Sequence, residues 1–376
     1  MFVPIIKYLG DIIKIALLID GLIARGGGER VAYFFAKRYN VDIYTAEINW
    51  DKILPEFRKF NIHLVEPEVK LPLINREFLI RKFESIDLSS YDIVVCLGPG
   101  YSTYAGIKNH PSILYAFGLS PLFYKRGLDE DKYWPGGKFY MKPIVDLWAR
   151  RLKKRDKELI SKHLDRIVCI SKFTQHAVKA YYNRDSMVIG LPVNMGDYRF
   201  NKEGSYYLTV DRLIPAKRID LVVRAFLKMP DKQLIVEGVG PELERLKEMA
   251  KGRKNIIFVG RVNSKKLIDL YSGCIALISM SYQQDWSMVM IEAMAAGKPG
   301  IGPNEGAYKE IITNNKNGVL VDASVEGIIL GVSKITAKVG KTMQNACLST
   351  ASKYDEYNFY RHWDSLFRKM VVKIDR

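Results

Sequence analysis

The chain has 376 residues, a length that favours two domains, and its 48% hydrophobic and 26% charged content excludes a disordered, collagen-like or disulfide-stapled protein. Lysine and arginine number 58 against 41 acidic residues, and the resulting +17 calls for an anionic partner, whether nucleic acid, a lipid surface or a phosphorylated small molecule. The excess is +9 over residues 1–200 and +8 over 201–376, so neither half is a dedicated basic tail.

The opening segment MFVPIIKYLGDIIKIALLID is apolar, but Lys7, Asp11 and Lys14 interrupt it. No stretch reaches the roughly 18–20 apolar residues of a spanning helix, so any membrane contact is expected to be peripheral. From there on, short β-branched runs alternate with longer amphipathic segments, the pattern of parallel strands covered by helices. The first half offers strands at 13–20, 41–47, 62–66, 92–98, 112–118 and 166–171. The second offers them at 206–213, 233–240, 255–262, 274–281, 298–304 and 318–322. Most end in Gly, Asp, Ser or Asn, where strands of open α/β sheets give way to functional loops. Gly, Pro and Asn cluster at 190–205 and mark a linker. Tyr357, Phe359, Tyr360, Trp363, Leu366, Phe367 and Met370 form a helical stripe near the end, which would cap the second domain or cross back onto the first. The economical architecture is two similar α/β domains facing each other.

Cys96, Cys169, Cys274 and Cys347 stand far apart with no CxxC, which implies a reducing, cytoplasmic setting and no zinc site. The five histidines, His63, His110, His163, His176 and His362, show no metal-ligand spacing.

Three motifs can carry chemistry. Gly26, Gly27 and Gly28 precede a helix expected to begin near Glu29, and bare backbone N–H groups at a helix start suit a phosphate or a sugar hydroxyl; a flexible turn is the alternative. In DRLIPAKRIDL, Arg212, Lys217 and Arg218 lie at a strand end and a helix opening. The helix dipole disfavours cations there, so the arrangement points to an anionic ligand such as a diphosphate, against a solvated basic turn. In SYQQDWSMVMIEAMAAGKPGIGPNEGAYKEII, Glu292 falls within an apolar helix expected over 287–296. A carboxylate buried there needs partners, either ribose hydroxyls or a neighbouring Arg or Lys.

In order along the chain, GGGERV (26–31), CISKFTQHAVKAYY (169–182), VDRLIPAKR and QQDWSMVMIEAMAAGKP together resemble the retaining GT-B glycosyltransferases of family four, the mannosyltransferase-like group 1 enzymes. The resemblance implies a GT-B architecture with two Rossmann-like βαβ domains facing across a cleft. Residues 1–195 would bind the acceptor, 205–346 the nucleotide-sugar donor, and 347–376 would form a terminal helix. It implies transfer of a hexose, by resemblance mannose, from a GDP- or UDP-linked donor to a glycan or lipid-linked acceptor, with no resident cofactor. Arg212 and Lys217 would hold the donor diphosphate and Glu292 the ribose. Gln284, Asp285 and the loop Asn304, Glu305, Gly306 and Ala307 would contact the sugar and its phosphate. The strand end at Val262 would meet the base, and Gly26–Gly28 would approach the sugar or acceptor.

The sequence departs from the family at three places. Gln284 stands for the first glutamate of the paired-glutamate motif, Asp211 for the usual glycine before the diphosphate-binding arginine, and Phe117 near the place of a histidine in the first domain. Gln284 hydrogen-bonds but cannot titrate, so it and the cations Arg212 and Lys217 would act by stabilising the departing diphosphate. The triplet Asp129-Glu130-Asp131 reads as a solvated acidic turn, and catalysis is expected to need no metal. Residues 120–163 interleave Phe123, Tyr124, Tyr133, Trp134, Phe139, Tyr140 and Trp148 with Lys125, Arg126, Lys132, Lys138, Lys142 and the run Arg150 to Arg155. That suits an anionic membrane surface, or else a core packed with aromatics beneath a wet basic helix face. A catalytically silent relative that binds nucleotide or glycan as an assembly partner is the competing function. Nucleic-acid binding would explain the charge but not the motif series.

Overall fold

The computed structural model describes residues 13–24, 26–65, 72–119, 142–200 and 204–371. The chain divides into two compact units, one of Met1–Leu191 with Tyr360–Arg376 and the other of Pro192–Phe359. The triplet at 129–131 and the aromatic and basic residues from 120 to 141 lie outside the described residues.

In the first unit, strands β1 (Lys14–Ile19), β2 (Asn40–Thr45), β3 (Asn61–Leu64), β4 (Ile93–Leu97), β5 (Ser112–Ala116), β6 (Arg166–Cys169) and β7 (Met187–Val188) form one sheet in the order β3-β2-β1-β4-β5-β6-β7. Every pairing is parallel, with Ile15 opposite Val41 on one side and Ile93 on the other. β4 and β5 are buried at every position, as continuous Ile, Val and Leu runs between helical layers must be. The two-residue β7 is an edge strand too short to leave a periodic signal in the sequence.

Helices α1 (Gly27–Arg38), α2 (Pro72–Ser85), α3 (Lys142–Lys162) and α4 (Lys172–Tyr182) supply the crossovers. α4 begins at Ser171, whose side chain accepts the Thr174 N–H at 2.9 Å, and ends at Asn183 in the left-handed region, φ 53°. On α3, Leu152, Asp156, Leu159 and Ile160 are buried while Arg150, Arg151, Lys153, Lys154 and Lys157 are exposed. Arg155 is not part of that basic face, because its guanidinium pairs with Glu77 and Glu84.

The second unit holds β8 (Tyr206–Val210), β9 (Leu234–Glu237), β10 (Ile256–Gly260), β11 (Cys274–Ile278), β12 (Gly300–Pro303) and β13 (Gly318–Val321), again wholly parallel, in the order β10-β9-β8-β11-β12-β13. Its helices are α5 (Ile219–Leu227), α6 (Leu243–Met249), α7 (Ser264–Gly273), α8 (Met288–Ala295), α9 (Tyr308–Ile311), α10 (Val325–Lys334), α11 (Ala337–Thr342) and α12 (Gln344–Ser352). The strand read over 206–213 stops at Val210. Residues beyond it peel into a short turn at Pro215–Lys217, and Arg218 takes a left-handed φ of 51° before α5.

The last helix, α13 (Glu356–Val371), passes from the second unit into the first at Tyr360. Its fully buried Trp363 packs edge-on against Phe35 of α1, with ring centroids 4.8 Å apart, and against Tyr115 of β5 at 5.1 Å. Tyr39 donates its hydroxyl to Asp364 at 2.8 Å, and burial beside that carboxylate raises the phenol pKa far above its usual value. From Trp363 on, the aromatic stripe is therefore a core element of the first unit, whereas Phe359 is buried within the second and Tyr357 is exposed.

Candidate functional site

In a doubly wound sheet the ligand crevice lies outside the carboxyl ends of the strands where the order reverses. In the second unit that point falls between β8 and β11. Asp211 follows β8 directly, and Ser281 stands three residues beyond β11. Their side chains meet, with the Ser281 hydroxyl donating to Asp211 Oδ2 at 3.0 Å. Lys217 Nζ lies 3.0 Å from Asp211 Oδ1 and donates to Gln284 Oε1 at 3.1 Å. The Gln284 amide in turn donates to the Trp286 carbonyl at 2.8 Å, which fixes its orientation. Gln283, just before it, has a φ of 38°, costly for a side-chain-bearing residue and common where a loop is held for function.

The loop 304–307 closes on the same place. The Ala307 N–H donates to the Gln284 carbonyl at 2.9 Å. Gly306 has a φ of 57°, and a Cβ there would come within 2.7 Å of that carbonyl oxygen, so only glycine fits. Glu305 accepts from Arg218 at 2.6 Å, and the Arg218 guanidinium lies 4.7 Å from the Tyr282 ring centroid. Arg212 is exposed, with no ion pair for its side chain among the described residues. Lys217, by contrast, is already occupied by a carboxylate and an amide.

Glu292, on α8, is 3% exposed and accepts a 2.7 Å hydrogen bond from Tyr271 of α7. A tyrosine is thus one of the partners of this carboxylate. Val262 donates its backbone N–H to Glu237 at 3.1 Å. Glu237, at the end of β9, is a second buried carboxylate. Burial pushes its pKa up, the Val262 N–H and Arg261 oppose the shift, and Glu292 and Asp211 add to it. Sequence reasoning missed Glu237 and Tyr271. The signal for Glu237 was a charged residue closing the apolar run QLIVEG. For Tyr271 there was none, since a helical tyrosine is an ordinary core residue. Asp285 lies half-buried in the loop between Gln284 and α8.

The glycine loop belongs to the first unit. Gly26 caps α1, and Gly27 and Gly28 are inside its first turn rather than before it. The Glu29 carboxylate folds back to accept the Ala24 N–H at 3.1 Å, and burial raises its pKa. A Cβ on Gly28 would lie 3.2 Å from the Phe117 ring, so the loop and the residue near the family histidine's place adjoin within this unit. Asp20, at the end of β1, accepts the Ser102 N–H at 2.9 Å. His176 is exposed on α4. Among the described residues no three His, Cys, Asp or Glu side chains group as metal ligands, and no helix is long and apolar enough to cross a membrane.

Comparison with known proteins agrees with this fold. Anabaena HepE, solved with UDP-glucose, superposes with a TM-score of 0.74 over 95% of this chain and 100% of its own, at 14% identity. Two Rossmann-like units of this order define the GT-B fold. Residues 192–344, within the second unit, match the family described as Glycosyl transferases group 1. An uncharacterized glycosyltransferase of Methanocaldococcus jannaschii is 30% identical over 200 residues, 47% of this chain and 51% of that protein. The GDP-mannose-dependent alpha-mannosyltransferase of Corynebacterium glutamicum is 32% identical over 92 residues, 24% of this chain and 22% of that one. The first relatives are matched over about half of their own length.

Proposed function

We propose that the chain transfers a hexosyl group from a nucleoside-diphosphate sugar to a glycan or lipid-linked acceptor, with retention of configuration and without a metal ion. The observation that carries this reading is the meeting of Lys217, Asp211, Gln284 and the loop 304–307 at the switch point of the unit that matches the group 1 glycosyltransferases, with Arg212 beside them in the turn after β8. Arg212 and Lys217 hold the diphosphate, Glu292 and Glu237 stand behind the ribose, and Val262 lies toward the base. Gln284 and Asp285 orient the sugar, and the Gly26–Gly28 loop serves the acceptor side.

In the transfer, the bond from the anomeric carbon to the diphosphate oxygen breaks while the acceptor hydroxyl oxygen bonds to that carbon on the same face. The acceptor proton passes to the departing phosphate oxygen. No side chain need titrate, which suits Gln284, and the cations stabilise the charge as it develops on the diphosphate. The mannosyl relative and the UDP-glucose complex of the structural neighbour make GDP- and UDP-sugars the first donors to try. The exposed basic face of α3, with Leu147 70% exposed beside it, suits an anionic membrane surface at the cytoplasmic side, where a lipid-linked acceptor is presented.

A calorimetric panel of GDP-, UDP- and ADP-sugars with EDTA or magnesium, followed by a sugar-release assay, tests the reading. Binding and release in EDTA support it. Release only with magnesium overturns the metal-free mechanism. Binding without release, even with acceptors supplied, favours the silent-relative reading, which draws on the loss of a titratable group at Gln284.

A further inference from the structure

Asp211 places a carboxylate among the groups assigned to the diphosphate. Its side chain is 13% exposed, and three donors converge on it: Lys217 Nζ at 3.0 Å, its neighbour Arg212's backbone N–H at 2.9 Å, and the Ser281 hydroxyl at 3.0 Å. Two of the three come from the residues expected to meet the phosphates. The carboxylate is thus an anion seated in an anion cradle, with its charge shielded from solvent and close to where a ligand's charge must go.

We propose, resting on the transferase reading, that Asp211 is a built-in competing anion that discriminates between donor and spent nucleotide. A sugar nucleotide carries one charge on each phosphate. A free nucleoside diphosphate carries about one more at neutral pH, because its terminal phosphate has a second ionisation near pH 6. Repulsion from a fixed carboxylate scales with the ligand's charge, so it weakens the product more than the donor. Asp211 thereby lowers affinity for both and favours release of the product. The lysine still reaches the diphosphate, by swinging from Asp211 Oδ1 to a phosphate oxygen in the same cradle.

The test is calorimetry of wild type, Asp211→Asn and Asp211→Ser with GDP, UDP, ADP, the matching sugar nucleotides and inorganic pyrophosphate. Asparagine keeps the shape and the hydrogen bond from Ser281 while removing the charge; serine guards against a misplaced amide, and thermal melts confirm folding. The expected result is nucleoside-diphosphate affinity raised by about tenfold or more, with a smaller gain for the sugar nucleotide and stronger product inhibition of transfer. Equal or weaker binding by both folded variants would overturn the proposal and make Asp211 a positioning group for Lys217. Failure of wild type and variants alike to bind any nucleotide would instead sink the transferase reading, and this proposal with it.

Discussion

Gly238→Ala should disable the donor site from behind. Gly238 follows β9 with a φ of 131°, and a Cβ added there would lie 1.9 Å from the Asp211 carbonyl oxygen and 3.0 Å from its carbonyl carbon. A side chain in that region of backbone space costs about 1–3 kcal/mol by itself. The clash is with main chain, so no rotamer relieves it, and the backbone at Asp211 must retreat by about 1.5 Å to reach ordinary contact. That backbone is tied by Asp211 N–H to the Glu237 carbonyl at 3.2 Å and by Leu213 N–H to the Val239 carbonyl at 3.0 Å. Losing one or both adds about 0.5–1.5 kcal/mol each, for a total of about 1.5–6 kcal/mol. Thermal melting should fall by at least about 3 °C, at about 2–4 °C per kcal/mol for a unit of this size. Because the displaced segment carries Arg212 and leads into Lys217, the cations assigned to the diphosphate, nucleotide affinity measured by calorimetry should drop by about tenfold or more. Gly252→Ala is the control. Its φ is 76° but nothing lies within 4 Å of the added Cβ, so it should cost stability alone and leave affinity unchanged. A Gly238→Ala protein with unaltered melting and affinity would refute the reasoning, as would a Gly252→Ala protein that lost affinity equally.

Three further outcomes are expected. Lys217→Met removes the charge-assisted donor that reaches both Asp211 and Gln284, and nucleotide affinity should fall by about ten- to a hundredfold in the same calorimetry. Tyr271→Phe leaves no cavity but deletes the 2.7 Å bond to buried Glu292, so chemical denaturation should show a loss of about 1.5–3 kcal/mol; a loss under about 0.5 would mean the bond is unimportant. Glu237 has its pKa raised from 4.5 by burial, so the folded chain holds this proton to higher pH than the unfolded chain does. The charged form therefore costs stability that is absent below 4.5 and grows as pH rises through the folded pKa, and Glu237→Gln should gain on wild type between melts at about pH 4 and about pH 7; a constant difference would contradict the shift.

The parallel sheets were legible because strands buried on both faces must be continuous apolar runs, as IVVCL and CIALI are, and because each run ends in a loop residue. What escaped was local and tertiary. The sequence places Gly27 and Gly28 ahead of α1, but a first-turn residue needs no intrahelical N–H partner, so glycine enters the helix there without penalty to the hydrogen bonds. Arg155 reads as one more cation in a basic run until the helix turns it inward to Glu77 and Glu84. In the site, Arg212, Lys217 and Gln284 follow from motif order, whereas the contacts that occupy Lys217 depend on Ser281 and Asp211 arriving from two strands that lie 70 residues apart in sequence and adjacent in the sheet.

The two departures in the second unit bear on each other. By resemblance, position 284 should be a glutamate and position 211 a glycine. In this chain the carboxylate is lost at one and gained at the other, and both side chains meet the same ammonium, at 3.1 and 3.0 Å. The number of carboxylates facing Lys217 from these two positions is therefore unchanged; the charge has moved from the loop after β11 to the loop after β8. Erosion of an abandoned site removes groups independently, and a new carboxylate buried to 13% exposure without a partner would cost several kcal/mol. A loss and a gain matched on one lysine leave one carboxylate facing that ammonium, as the family pattern would. That pairing fits the proposed transfer better than a silent relative, because both side chains still address the ammonium assigned to the phosphates.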